Sequence, residues 1–181
     1  MDKYRELTNK GREAYLNALD EINWFEHSTL SRDEVKKRLL KATDSRDYLL
    51  SLYELWFDTE GFEDDDAYES LLKQILRIIN RPLTLNVFFQ KRTNTVEIEI
   101  QGEKNNYHYS IDVIISDWVD ENLVDEFINS NVLQNENVRN RFCFLPPSDQ
   151  TVQLVFVPVE VYEMAIEKGI IPADEGYFMK E

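Results

Sequence analysis

The sequence predicts an α+β protein: an N-terminal helical layer of two to four helices and a C-terminal, mainly antiparallel sheet unit ordered βββαββα. Three observations carry this. Up to Asn80, apolar residues recur at three- and four-residue steps. After Pro82 the spacing changes to alternation. The chain of 181 residues is 43% hydrophobic and 12% aromatic, enough to bury a core in one domain or two packed subdomains.

The first helical stripe runs through Tyr4, Leu7, Gly11, Ala14, Tyr15, Ala18, Ile22 and Phe25. Gly11 on that face would allow close approach of another helix. Ser31 and Glu34 have capping-box spacing for the next helix. Its stripe is Val35, Leu39, Ala42, Leu49, Tyr53 and Trp56, with Thr43–Asp44–Ser45 either breaking it or lying within one long helix. A third helix is expected from about Asp64 to Asn80. Asp64, Asp65 and Asp66 suit its N-terminal dipole, and Pro82 stops it.

Beyond Pro82, LTLNVFFQ, TVEIEIQ and YHYSIDVII read as a three-stranded meander with turns at KRTN and GEKNN. DWVDENLVDEFIN returns to helical period, with Val119, Leu123, Phe127 and Ile128 on one side. RFCFLPP and TVQLVFVP read as strands around a PPSDQ turn. VEVYEMAIEKG reads as a final helix with Gly169 at its cap. The boundary falls at Arg81–Leu83, giving subdomains 1–82 and 83–181 expected to pack as one compact unit.

The net charge of −15 argues against direct contact with nucleic acid or an anionic membrane, since like charges repel. It favours a basic partner or simple solubility. No apolar run reaches membrane-spanning length, and the first residues show no signal-like apolar region. A cytoplasmic protein is expected. The one cysteine, Cys143, lies in an apolar strand-like run and suits core packing.

Catalytic patterns are sparse. The five glycines are scattered, so no phosphate-cradling loop is present, and no GxSxG elbow occurs. Two histidines and one cysteine cannot assemble a structural zinc site without carboxylates. A dyad of Cys143 and His108 would depend wholly on the fold. No cofactor is expected. The catalytic alternative is a trio of carboxylates, Glu97, Glu99 and Asp112, on neighbouring strands. Such a trio can hold Mg²⁺ for phosphodiester cleavage. Its ordinary counterpart is the polar outer face of a half-buried sheet.

Two acidic stretches remain. Between Glu54 and Glu69 lie eight carboxylates and no base. Asp58, Glu60, Asp64, Asp66 and Glu69 match EF-hand positions one, three, seven, nine and twelve. The match fails at Phe62, which offers no ligand, and at Glu63, where the turn wants glycine. A solvated loop feeding a helix dipole accounts for it better.

The second stretch, Glu97 to Glu136, holds ten acids against Lys104 alone. Asp117, Glu121 and Asp125 are four apart on the expected helix, a spacing that costs helix stability. Residues 83–181 carry 17 acids and 7 bases, against 18 and 13 in residues 1–82. An acidic surface with aromatics nearby suits an inhibitor of a basic enzyme, because carboxylates occupy phosphate positions and accelerate encounter. Asp117, Trp118, Asp120, Glu121 and Asp125 are the expected contact residues, with Trp118 as anchor. Small, acidic, glycine-poor and lacking a catalytic motif is the general profile of toxin-immunity proteins and phage-encoded nuclease inhibitors. That is a likeness of type, carried by no motif. A scaffold subunit using the helical half is the third reading, and the sequence leaves oligomeric state open.

Overall fold

A computed structural model describes residues 2–113, 117–147, 150–174 and 177. Its elements are mixed α and β, with two three-stranded sheets: one in the order β1 (Leu55–Asp58), β6 (Thr151–Val157), β5 (Arg141–Phe144), the other in the order β2 (Thr84–Gln90), β3 (Thr95–Gln101), β4 (Asn106–Asp112). Contacts divide the chain into two compact units, Met1–Trp56 with Asn140–Glu181, and Phe57–Arg139. The change of pattern in the sequence instead suggests a single division near Pro82. The difference arises because the helix before Pro82 packs on the strand after it, while the last two strands join the N-terminal helices. Among the described residues, no helix is long and apolar enough to cross a membrane.

In the first unit, the expected first helix is three pieces: α1 (Lys3–Asn9), α2 (Arg12–Glu21) and α3 (Trp24–His27). Gly11 at φ +91° and Asn23 at φ +54° make the breaks. Gly11 does not serve close packing, since a Cβ there would meet nothing within 4 Å. Its role is backbone freedom. α4 (Arg32–Leu39) starts on the Ser31–Glu34 capping box, complete in both directions. α5 (Ser45–Leu50) starts on Asp44, whose side chain accepts from the Asp47 N–H, so the Thr43–Ser45 stretch does break the helix.

Trp56, expected on a helical stripe, lies instead in strand β1 (Leu55–Asp58). At the start of that strand the Glu54 N–H donates to Leu154 O at 2.8 Å. Its carboxylate accepts from Ser28 Oγ at 2.7 Å, from the Phe156 and Thr29 amides at 3.2 Å each, and from the Thr29 hydroxyl. This half-buried acid thus ties the Ser28–Thr29 loop to β6 (Thr151–Val157), which pairs antiparallel with β5 (Arg141–Phe144).

The closing helix α7 (Val159–Glu167) ends at Gly169, φ +74°. A Cβ there would sit 2.6 Å from Lys3 Cβ, so both conformation and space demand glycine. The core of this unit is Tyr4, Tyr15, Leu16, Leu19, Trp24, Val35, Leu39, Val155, Val157 and their neighbours. Cys143 packs against it, half-buried.

In the second unit, α6 (Asp65–Ile79) runs almost as expected, capped by Asp64 and ended by Asn80 in the left-handed region. β2 (Thr84–Gln90), β3 (Thr95–Gln101) and β4 (Asn106–Asp112) form the antiparallel meander, with Val87 opposite Ile98 and Ile98 opposite Tyr109. α6 packs against β2, and the Phe89 amide donates to Asp65 Oδ2 at 3.1 Å. Ile114 and Ile115, expected on the last strand of the meander, lie outside the described residues, as does the centre of the PPSDQ turn.

The helix after the meander is wound as a π-helix, Leu123–Leu133. The sequence reading expected an ordinary α-helix. Its buried residues come as Leu123 and Val124, then Phe127 and Ile128, then Val132 and Leu133. At 3.6 residues per turn, nine residues advance about two and a half turns and would put Val132 opposite Leu123. The wider winding brings all three pairs to the buried side.

Candidate functional site: an acidic interface

The second unit carries 17 acidic and 7 basic residues, net −10. Its two acidic stretches, separate in sequence, are joined in space. After β1 the Asp58 carboxylate accepts from the Glu60 amide at 3.0 Å, and the chain turns at Gly61, φ +84°. Phe62 is buried and stacks edge-on against Tyr68, centroids 4.9 Å apart. The Phe62 N–H donates to Asp117 O at 2.7 Å, and the Val119 N–H to Thr59 O at 2.8 Å. These two backbone bonds lay residues 117–119 along residues 59–62. The exposed Asp58, Glu60 and Glu63 therefore lie beside the segment of the exposed Asp117, and Asp64, Asp66, Glu121 and Asp125, on the continuations of the two segments, are exposed as well.

Trp118, flanked by these acids, is 46% exposed and does not fill the core. Asp120 is different from its neighbours. Its Oδ1 accepts from Tyr109 Oη at 2.8 Å and from the Asn122 amide at 2.9 Å, while its own N–H donates to Tyr68 Oη at 3.2 Å. Tyr109 in turn stacks on Phe127 at 4.8 Å. Burial pushes the Tyr68 hydroxyl up to about 12, and burial followed by the bond to Asp120 raises Tyr109 as well. Asp120 positions the segment that carries Trp118, and its carboxylate is already occupied.

The four-residue ladder of Asp117, Glu121 and Asp125 is not a helical stripe. The π-helix begins after Asn122, so Asp117 and Glu121 precede it and only Asp125 belongs to it. The repulsion expected within one helix face is therefore absent. Asp125 Oδ1 accepts from Asn129 Nδ2 at 3.1 Å.

The proposed calcium ligands face other tasks. Asp58 closes its own turn, Asp64 caps α6, and Glu69 pairs with Lys73 at 2.9 Å. A strand, not the expected helix, precedes the loop. Glu97, Glu99 and Asp112 do share the outer face of the meander, by strand register. There Glu97 accepts from Thr95 Oγ1 at 2.6 Å, Ser110 Oγ at 2.9 Å and His108 Nε2 at 2.9 Å. The Thr95 hydroxyl foremost, with Ser110 and His108, holds its carboxyl below the ordinary range. Glu99 accepts from Asn86 Nδ2 at 3.1 Å. Among the described residues, no group of three or more His, Cys, Asp or Glu side chains is placed to hold a metal ion. Cys143 and His108 belong to different units, and the Cys143 thiol donates to Arg141 O at 3.8 Å.

Thr59, Phe62, Tyr68 and Tyr109, which assemble this surface, carry no sequence signal of that role. Nothing local signals their pairing, because each partner lies far along the chain. No family model matches the chain, and neither a curated protein nor a solved structure matches it.

Proposed function

We propose that this protein is a non-enzymatic, cytoplasmic binding protein that inhibits a basic protein partner through the acidic surface of its second unit. The supporting observation is the joining of two acidic segments around the exposed Trp118. Long-range attraction would steer a basic partner to this surface. An aromatic side chain at its centre supplies the apolar contact that dominates many interfaces. The backbone bonds to Thr59 and Asp117 and the Asp120–Tyr109 bond hold the segment before a partner arrives, which lowers the ordering cost of binding.

The favoured partner class is a nuclease or another nucleic-acid-binding enzyme, whose basic groove expects phosphates where these carboxylates sit. Toxin immunity and phage counter-defence both fit this reading. The test is capture of a basic protein from lysate of the source organism and its natural competitors, followed by elution with salt. The variant with Asp117→Lys, Glu121→Lys and Asp125→Lys should lose that protein. Equal capture by wild type and variant would remove the acidic surface from the account.

A further inference from the structure

We infer that a second copy of this chain docks its acidic, Trp118-bearing surface onto the lysine-ringed outer face of α4. The inference rests on the acidic surface described above, and not on the identity of the basic partner proposed for it.

The α4 face follows from helical spacing. Val35, Leu39 and Ala42 turn into the core. Four-residue steps then place Lys36 beside Leu40 and Lys37 beside Lys41 on the outside. All four are exposed, and Leu40, at 62%, is the most exposed large apolar side chain among the described residues. Lysines at a helix C-terminus suit its dipole, which accounts for the charges. It does not account for an exposed leucine at their centre.

The surroundings make this face a stiff platform. Arg38 donates to Tyr53 O at 2.6 Å and lies over the Tyr53 ring at 4.8 Å. Arg12 donates to Ala42 O at 3.0 Å. Of the nearby acids, Glu34 bonds Ser31 and Asp47 bonds Thr43, while Asp33 lies exposed one turn before Lys37. Lys36, Lys37 and Lys41 form no ion pair among the described residues.

The complementary surface is on the same chain. An apolar side chain ringed by lysines meets an apolar side chain ringed by carboxylates, which is the core-and-rim arrangement of a small interface with matched charge. The two patches differ, so the contact is heterologous, and each copy keeps one patch of each kind for the next copy. The overall charge of −15 opposes the approach of two copies, so the contact is weak and short-ranged. A basic partner and a second copy would compete for the same surface.

Salt screens both the contact and the overall repulsion, so variants decide the matter. Sedimentation velocity of the wild type should show concentration-dependent assembly below about 1 mM. The variant with Lys36→Glu, Lys37→Glu and Lys41→Glu should weaken assembly at least 10-fold, as should the variant with Asp117→Lys, Glu121→Lys and Asp125→Lys. A one-to-one mixture of the two variants pairs a reversed strip with a reversed surface and should restore the complex. Leu40→Asp provides a second disruption at a single exposed site.

A monomeric wild type throughout that range overturns the inference. So does assembly that survives both charge reversals and Leu40→Asp, or variants that fail to complement. If wild type captures a basic protein yet stays monomeric alone, this inference falls and the functional reading stands.

Discussion

The two units use carboxylates in opposite ways. In the first, Glu54 lies among four donors, three from the Ser28–Thr29 loop and one from strand β6, and works as a fastener. In the second, Asp117, Glu121 and Asp125 stand exposed, while the backbone beneath them does the fastening. Counting acids along the chain treats these groups alike. Their roles follow from how many donors the fold has already placed around each oxygen.

Apolar burial carries the stability of both units, and the exposed acids do not. Trp24→Ala should show the largest loss. Its side chain is fully buried in the first unit, and emptying that volume should cost about 3–5 kcal/mol in denaturant unfolding. Phe127→Ala probes the second unit in the same way, since Phe127 is 2% exposed and stacks on Tyr109. A loss below about 1 kcal/mol at both sites would contradict the assignment of the cores.

Reversing Asp117, Glu121 and Asp125 should divide the two effects. Partner affinity should fall about 100-fold, because like charges then face each other. Unfolding free energy should change by no more than about 0.5 kcal/mol, because these are surface positions. A large stability loss would show that the second unit needs its acids as the first needs Glu54.

Glu54→Gln should act in the reverse sense. Each Glu54 oxygen accepts one fixed backbone N–H, Oε1 from Phe156 and Oε2 from Thr29. Whichever oxygen becomes an amide NH₂ then faces a donor. The expected loss is about 1–3 kcal/mol, read from urea midpoints, with partner binding unchanged.

Much of the fold was legible where local pattern decides it. The Ser31 capping box, the bounds of α6 and the alternation of the meander follow from residues within a few positions of one another. β1 was not legible. Leu49, Tyr53 and Trp56 keep a helical step, and only pairing with the distant β6 makes the last of them a strand residue. The π-winding had a signal in the four- and five-residue steps from Leu123 to Leu133, which an α-helix cannot keep on one side. The site was half legible. Its acids and Trp118 could be named from sequence, but their union across residues 59–62 and 117–119 depends on two backbone hydrogen bonds that no spacing rule encodes. Asp120 looks like its neighbours in sequence and differs only because Tyr109 and Tyr68 reach it.

The smallest expected effect concerns pH, and it distinguishes two half-buried acids, Glu54 and Glu97, by sign. Burial raises the Glu54 carboxyl above its ordinary value, against the opposing pull of its donors. Its contribution is fully present below the ordinary glutamate value of about 4.3 and fades as pH rises through the folded value. Glu97 is shifted the other way, chiefly by the Thr95 hydroxyl. Its contribution is present above about 4.3 and fades as pH falls through its lower folded value. Urea midpoints of wild type, Glu54→Gln and Glu97→Gln should be followed from pH 7 to pH 3. The advantage of wild type over Glu54→Gln should grow on acidification toward the ordinary value, whereas its advantage over Glu97→Gln should shrink below it. If both differences move in the same direction, desolvation does not govern Glu54, and the contrast between an acid governed by desolvation and one governed by its hydrogen bonds loses its basis.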